Sequence, residues 1–478
     1  MDISVKPRRV LSIFVLAMLN VSIMASLRNL PLVAEYGLSM VFFFLAVALF
    51  FLIPCALVSA ELSTGWPKSG GIYVWVREAL GDRWGFFAIW MQWVHNVAWY
   101  PVILSFVATT IAYIFAPHLI TNKLFVLIVI LGGFWGMTLI NYLGIKTSSW
   151  FSTIGVILGT IAPGLFIISL GLSWVFKGNP VQIELSLGAF IPDLKDIGSL
   201  VFLAGLFLAF AGLEVSSSLA SEVKNPQKNY PRSIVLAAII TFVIFLLGAL
   251  SIAIVIPKNE ISLVSGLMEA FRVFFNFYNL SWILPIMGIL LIIGAVAEVN
   301  AWIVGPVKGL YATSVHGNLP PFLQNLSRRG VPTHLLLFQA LIVTISSLVF
   351  LYMPSLSSSY WILSAMSAHT YLVMYILMFI SAIRLRYIKP HVPRTYQVPL
   401  ANRHRGMWIF ACMGILASVF AILLAFVPPS QIHIGNIFFY EGFLIIGFLI
   451  TCAIPLIIYQ FRKPSWVKNL DEDTPFFQ

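Results

Sequence analysis

Residues 197–221 read IGSLVFLAGLFLAFAGLEVSSSLAS. The run is long and apolar enough to cross a bilayer, which takes about 20 helical residues. It is interrupted by Phe210-Ala211-Gly212-Leu213-Glu214. A carboxylate at the centre of a membrane helix costs about 2.5–3.5 kcal/mol on insertion scales. Gly212 weakens a helix, and Ser216, Ser217 and Ser218 offer side-chain hydrogen bonds that compete with it. Irregular backbone persists inside a membrane only where it is buried in protein or lines a wet cavity. The stretch reads as a helix broken at a ligand site. The competing reading is a continuous helix with Gly212 as a packing residue and Glu214 reaching water from one face.

The surrounding composition agrees with a membrane setting. Of 478 residues, 60% are hydrophobic and 9% charged, and the mean hydropathy is +0.96. Soluble domains are not built this way, and repeated apolar runs mean transmembrane helices. The net charge of +11 does not point to nucleic acid, because the basic residues sit in short loops and form no single groove. The lipid bilayer is the expected partner, nucleic acid is not, and the oligomeric state is unknown. Cys55, Cys412 and Cys452 lie in apolar runs with neither metal-ligand nor disulfide spacing. There is no Gly-x-Ser-x-Gly, no His-Glu-x-x-His and no cysteine–histidine cluster, so neither an enzyme, a metal nor a cofactor is expected. Lys6, Arg8 and Arg9 precede the first apolar run as in a signal peptide. No small-residue cleavage site follows and the run is too long, so a retained span is expected.

Twelve spans are expected: 10–36, 38–62, 84–115, 124–142, 148–176, 197–221, 233–256, 282–313, 335–352, 360–383, 407–426 and 437–461. Residues 71–80 read as a short amphipathic piece and 263–275 as a surface helix. The fold class is all-α and polytopic, and 1–478 forms a single transmembrane unit. With the N-terminus inside, 22 Lys and Arg fall on inner segments and 5 on outer ones. That bias places both termini in the cytoplasm of a multi-pass protein of the cell membrane.

Arg28 belongs to neither set. Ser26-Leu27-Arg28-Asn29-Leu30-Pro31 interrupts the first span. Taken as one straight helix, 10–36 would be about 40 Å long against a core of about 30 Å. Either the helix breaks there or it ends near Leu27 and Arg28 snorkels to the surface. The first and sixth spans hold corresponding places in two runs of five, which suits inverted repeats over about 10–176 and 197–387, followed by two further helices over about 407–461. In that arrangement the outer half of the first span aims its N-terminus at the centre, and the outer half of the sixth aims its C-terminus there. One end favours an anion and the other a cation, and an α-amino acid carries both.

The sequence resembles the amino acid–polyamine–organocation superfamily, and within it the bacterial glutamate/γ-aminobutyrate antiporters. The matching text is Phe210-Ala-Gly-Leu-Glu214, Glu222-Val-Lys-Asn-Pro226, Tyr230-Pro231 and Ala297-Glu298-Val-Asn-Ala-Trp302-Ile-Val-Gly-Pro306-Val-Lys-Gly-Leu-Tyr311, with Trp84-Gly85-Phe86 after Gly70-Gly71. The likeness runs from the first span to about Arg462. It implies the five-plus-five inverted-repeat fold with broken helices 1 and 6, and alternating-access exchange of small amino acids or their decarboxylation products. Glu298 and Trp302, four apart on one helix face, match path-lining positions. So does the pair Tyr371 and Tyr375. Phe210 matches an aromatic position beside the break. Ser22, Met24, Ala25, Ser26 and Arg28 at the first break and Gly212 at the second complete the expected substrate site. For the aromatics the competing reading is ordinary packing.

The chain departs from those relatives at Arg28, where they have an aromatic residue, and at Asn29, where they have an acid. Arg28 either receives a second substrate carboxylate or pairs with a membrane glutamate such as Glu298. The tail after Lys463 is shorter than theirs, so tail-dependent pH gating does not transfer. The leading expectation is an amino acid antiporter of glutamate/γ-aminobutyrate or related type. The alternative is a proton-coupled importer with Glu214 or Glu298 as carrier. His95 and His369 are either proton relays or hydrogen-bonded structural residues.

Overall fold

The computed structural model describes residues 12–68, 70–142, 145–192, 197–217, 223–327, 330–399, 404–430 and 432–468. Ser218, Glu222 and the acidic tail residues Asp471, Glu472 and Asp473 lie outside them. Among the described residues eleven helices are long and apolar enough to cross a membrane, and no β-strand occurs.

Apolar side chains divide between two environments. On the Lys123–Tyr142 helix, Leu124, Ile128 and Leu139 project outward while Val126, Ile130 and Phe134 pack inward. A helix apolar on both faces suits lipid on one side and protein on the other. The Asp82–Phe115 helix is instead enclosed along most of its length, and it buries Gln92, His95 and Asn96. It packs along the Leu356–Ile388 and Leu284–Val315 helices. These three form the middle of the molecule.

Both interruptions expected from the sequence are present. The first apolar run is helical over Ile13–Met24, leaves the helix at Ala25 and Ser26, and resumes as a 3₁₀ turn over Leu27–Asn29 and a short helix over Leu30–Ala34. Pro31 sits in the first turn of that second piece, where its missing N–H has no partner to lose. The run beginning at residue 197 is helical over Ile197–Leu200 and again over Leu203–Ala209. It stops at Phe210, and Gly212 takes φ +117°, a conformation open to glycine. In pieces this short it does not count among the eleven long helices.

Two features were not expected. The helices containing Ala48–Leu52 and Ile157–Ile161 widen there into single π-helical turns. Each is followed within two residues by a proline, Pro54 and Pro163. Proline withholds the N–H that the carbonyl four residues back would use, and a wider turn accommodates the defect. In the second of these turns Gly159 lies against Gly294 of the Leu284–Val315 helix. A methyl group added to Gly159 would fall 2.1 Å from the Gly294 nitrogen.

The two short amphipathic pieces form as helices over Ile72–Leu80 and Gly266–Phe277. The second buries Leu267, Met268, Phe271, Phe274 and Phe275 against the bundle. Glu61, near the end of the Ile53–Gly65 helix, is buried and ties down residues 389–399. It accepts from Arg386 Nε at 2.9 Å and Nη2 at 2.5 Å, and from the Val398 amide at 2.8 Å. Arg394 Nε lies 3.6 Å from Glu61 Oε1, the oxygen that accepts from Arg386 Nε, and the Arg394 guanidinium covers the Trp66 ring at 5.1 Å.

Candidate functional site

The two interruptions meet. The Cα hydrogen face of Gly212 lies against Ile23 and Trp302: a Cβ there would fall 2.7 Å from Ile23 Cγ2 and 3.3 Å from the Trp302 ring. Trp302 Nε1 donates to the Ile23 carbonyl oxygen at 3.0 Å. That carbonyl belongs to the last turn of the Ile13–Met24 helix, where the backbone runs out of intrahelical donors. The indole thus satisfies a group that the break exposes.

Glu214 follows directly on the second break and is 1% exposed. Gln92 Nε2 donates to it at 2.8 Å and the Tyr371 hydroxyl at 2.5 Å. The Tyr375 hydroxyl donates to its other oxygen. Tyr371 and Tyr375 lie one turn apart on the Leu356–Ile388 helix, so both reach the same carboxylate. Tyr375 also accepts from the Gly212 amide at 2.7 Å, and so joins the opened backbone to the carboxylate beside it. Around the break the Ser217 hydroxyl donates to the Glu214 carbonyl oxygen and the Tyr230 hydroxyl to that of Ser216, at 2.5 and 2.6 Å. A buried carboxylate is tolerable when donors of this number surround it.

A second polar pocket adjoins the first break. Ser26, Arg28, Thr160 and Glu298 line a cavity of about 10 Å³ together with Phe106, Gly159, Leu291 and Ala295, the room one water molecule needs. Arg28 is buried, and its Nη1 donates to the Tyr360 hydroxyl at 2.6 Å. Its guanidinium lies 5.4 Å from the Trp99 ring centre and 5.5 Å from that of Tyr360. An aromatic wall links the Glu214 cluster to this cavity: Trp302 approaches Trp99 at 5.8 Å, His95 at 5.3 Å and Tyr371 at 5.8 Å.

Of the residues expected from the sequence, Gly212, Glu214, Trp302, Tyr371 and Tyr375 pack together at the second break, and Ser26, Arg28 and Glu298 line the small cavity. Ser22, Met24 and Ala25 are buried at the end of the first helix, and the Ser22 hydroxyl has no partner among the described residues. Phe210 stands apart from Glu214's donors: its ring packs among Phe44, Phe242 and Phe245. His95 accepts or donates at Nδ1 to Ser367 and stacks on Tyr371 at 4.1 Å. His369 bonds the Ile422 carbonyl oxygen at 3.1 Å. Both are hydrogen-bonded, as the structural reading requires. Sequence reasoning missed Gln92, Thr160, Trp99 and Tyr360. Gln92 carried a signal, being an amide in the middle of an apolar span; the other three read as ordinary members of their helices. Among the described residues no three His, Cys, Asp or Glu side chains gather as metal ligands.

Two apolar runs interrupted at the same place, with a caged carboxylate between them, suit a solute transporter. The amino acid permease family model matches residues 11–450, and the chain belongs to that family, within the amino acid–polyamine–organocation superfamily. It is 43% identical over 448 residues to an uncharacterised transporter of Legionella pneumophila, covering 94% of this chain and 96% of that one. It is 32% identical over 472 residues to the glutamate/γ-aminobutyrate antiporter of Lactococcus lactis, covering 98% and 93%. A polyamine transporter of Oryza sativa is 26% identical over 453 residues, covering 93% and 76%. The relatives are transporters, not enzymes.

Proposed function

We propose that the protein is a secondary active amino acid antiporter of glutamate/γ-aminobutyrate or related type, working by alternating access. The observation that carries this reading is the meeting of the two breaks at Ile23, Gly212 and Trp302, with Glu214 beside them. The Ile13–Met24 and Leu203–Ala209 helices both end there with their carbonyls, and the 3₁₀ turn Leu27–Asn29 begins beside them with its amides. A zwitterion offers an ammonium group to carbonyl ends and a carboxylate to amide ends. Ser22, Met24, Ala25, Ser26, Gly212, Glu298, Trp302, Tyr371 and Tyr375 form the substrate path in this reading, with Phe210 at its edge. The family resemblance supports twelve spans, residues 197–217 contributing to one, arranged as inverted repeats over about 10–176 and 197–387. The Lys and Arg distribution supports cytoplasmic termini, and the family resemblance a place in the cell (inner) membrane.

The test is counterflow. Purified protein in liposomes loaded with one amino acid should accumulate labelled amino acid from outside. No exchange with any amino acid or amine removes the proposal. Uptake driven by a pH step with no internal substrate would assign it instead to proton symport, with Glu214 or Glu298 carrying the proton.

A further inference from the structure

Arg28 is unlike the other buried cations. Arg386 is equally enclosed, but it forks onto Glu61. Arg28 is 3% exposed and has no carboxylate at ion-pair distance among the described residues. A neutral phenol holds one arm of its guanidinium, two aromatic rings flank it, and its Nε is buried without a partner. Burying a cation is costly unless an anion accompanies it, and aromatic faces return only part of that cost. Glu298 lines the same small cavity without closing the pair.

The position adds direction. Arg28 follows Ser26 by two residues, so at most about 7.6 Å of backbone separates it from the break. A molecule held at the break by its α-amino and α-carboxylate groups has Arg28 within reach of its side chain. The planar fork of a guanidinium matches a carboxylate better than any other side-chain group. A ligand ammonium placed there would meet a like charge in a poorly screened setting.

We propose that Arg28 reads the terminal carboxylate of the transported molecule. Resting on the transport reading above, this assigns the residue that sets the specificity of that site. The protein carries amino acids with a carboxylate at the far end of the chain, whether or not they bear a second one at the α carbon, and it discriminates against diamines. Tyr360 and Trp99 are the positioning residues that hold the guanidinium ready, and Thr160 and Ser26 face the same cavity.

Counterflow in liposomes containing the full chain tests this, with labelled glutamate, 4-aminobutyrate, glutamine and putrescine as probes. The wild type should exchange glutamate and 4-aminobutyrate faster than glutamine, and putrescine slowest. Arg28→Gln should lower the glutamate-to-glutamine rate ratio at least tenfold. Arg28→Lys, which keeps the charge but not the fork, should lower it less. A single-peak elution profile in detergent and stabilisation of each variant by its remaining substrates report on folding. If either variant lowers all probes by the same factor, or if the wild type prefers glutamine or putrescine, the assignment of Arg28 is overturned while transport stands. A wild type that exchanges no amino acid at all overturns the transport reading and this inference together.

Discussion

Trp302 and Ile23 are 279 residues apart, and the indole N–H of one caps the carbonyl of the other at 3.0 Å. The bond spans the break in the first apolar run and fixes the wall of the pocket at the same time. Trp302→Phe keeps the ring and removes the donor. A buried carbonyl left unbonded costs about 1–3 kcal/mol. The variant should melt at a lower temperature in detergent and show a raised KM for exchange, read by thermal unfolding and by counterflow.

Tyr375 both donates to Glu214 and accepts from the Gly212 amide, whereas Tyr371 donates to Glu214 alone. Tyr375→Phe should therefore impair exchange more than Tyr371→Phe, by several-fold. The double variant should lose less than the two effects combined, because both hydroxyls serve one carboxylate. Initial exchange rates of the three proteins decide the matter.

Gly212→Ala meets two penalties. The backbone there sits at φ +117°, and the new methyl would lie 2.7 Å from Ile23 Cγ2. Strain of about 1–3 kcal/mol is expected from the backbone alone. Exchange should fall to background, while Ala211→Gly, its neighbour without either constraint, should remain far more active.

Glu61→Gln takes the carboxylate away from the buried Arg386 fork. Removing one member of a buried pair costs about 3–5 kcal/mol, so a large drop in melting temperature is expected. Residues 389–399 should at the same time become open to protease, since the Val398 amide loses its charged acceptor.

In the structure the first span ends at Ala34, short of the residue 36 expected from the sequence, and Glu35 lies buried in the turn before the Gly37–Gly65 span. Desolvation raises its pKa from 4.5 to about 7, with Lys258 pulling the other way. The folded protein holds this proton more tightly than the unfolded chain does. The stability linked to it is complete below pH 4.5 and is lost as pH rises through about 7. Melting temperature should decline over that interval in the wild type, and Glu35→Gln should flatten the decline.

Much of this molecule was legible in its sequence because membranes punish polarity. Gly212, Glu214 and Arg28 stood out as interruptions in otherwise apolar runs, and the structure places all three at breaks or beside them. The helical spacing of Tyr371 and Tyr375 said that they share a face, but not that Glu214 is what they face. Contacts between distant positions left no local trace. The fork of Arg386 on Glu61 joins residues 325 apart, and nothing near Glu61 announces it. The π-helical turns before Pro54 and Pro163 were also hidden, because a proline in an apolar run reads equally as a kink, a break or a tolerated residue.

The flush meeting of Gly159 with Gly294 has a mechanical consequence. Two rods whose main chains touch cannot slide or tip relative to one another without forfeiting dispersion contact along the seam. The segment carrying Gly159 and the one carrying Gly294 then behave as a single strut. The rocking proposed above is then left to the unwound residues at Ala25, Ser26 and Gly212, outside this strut.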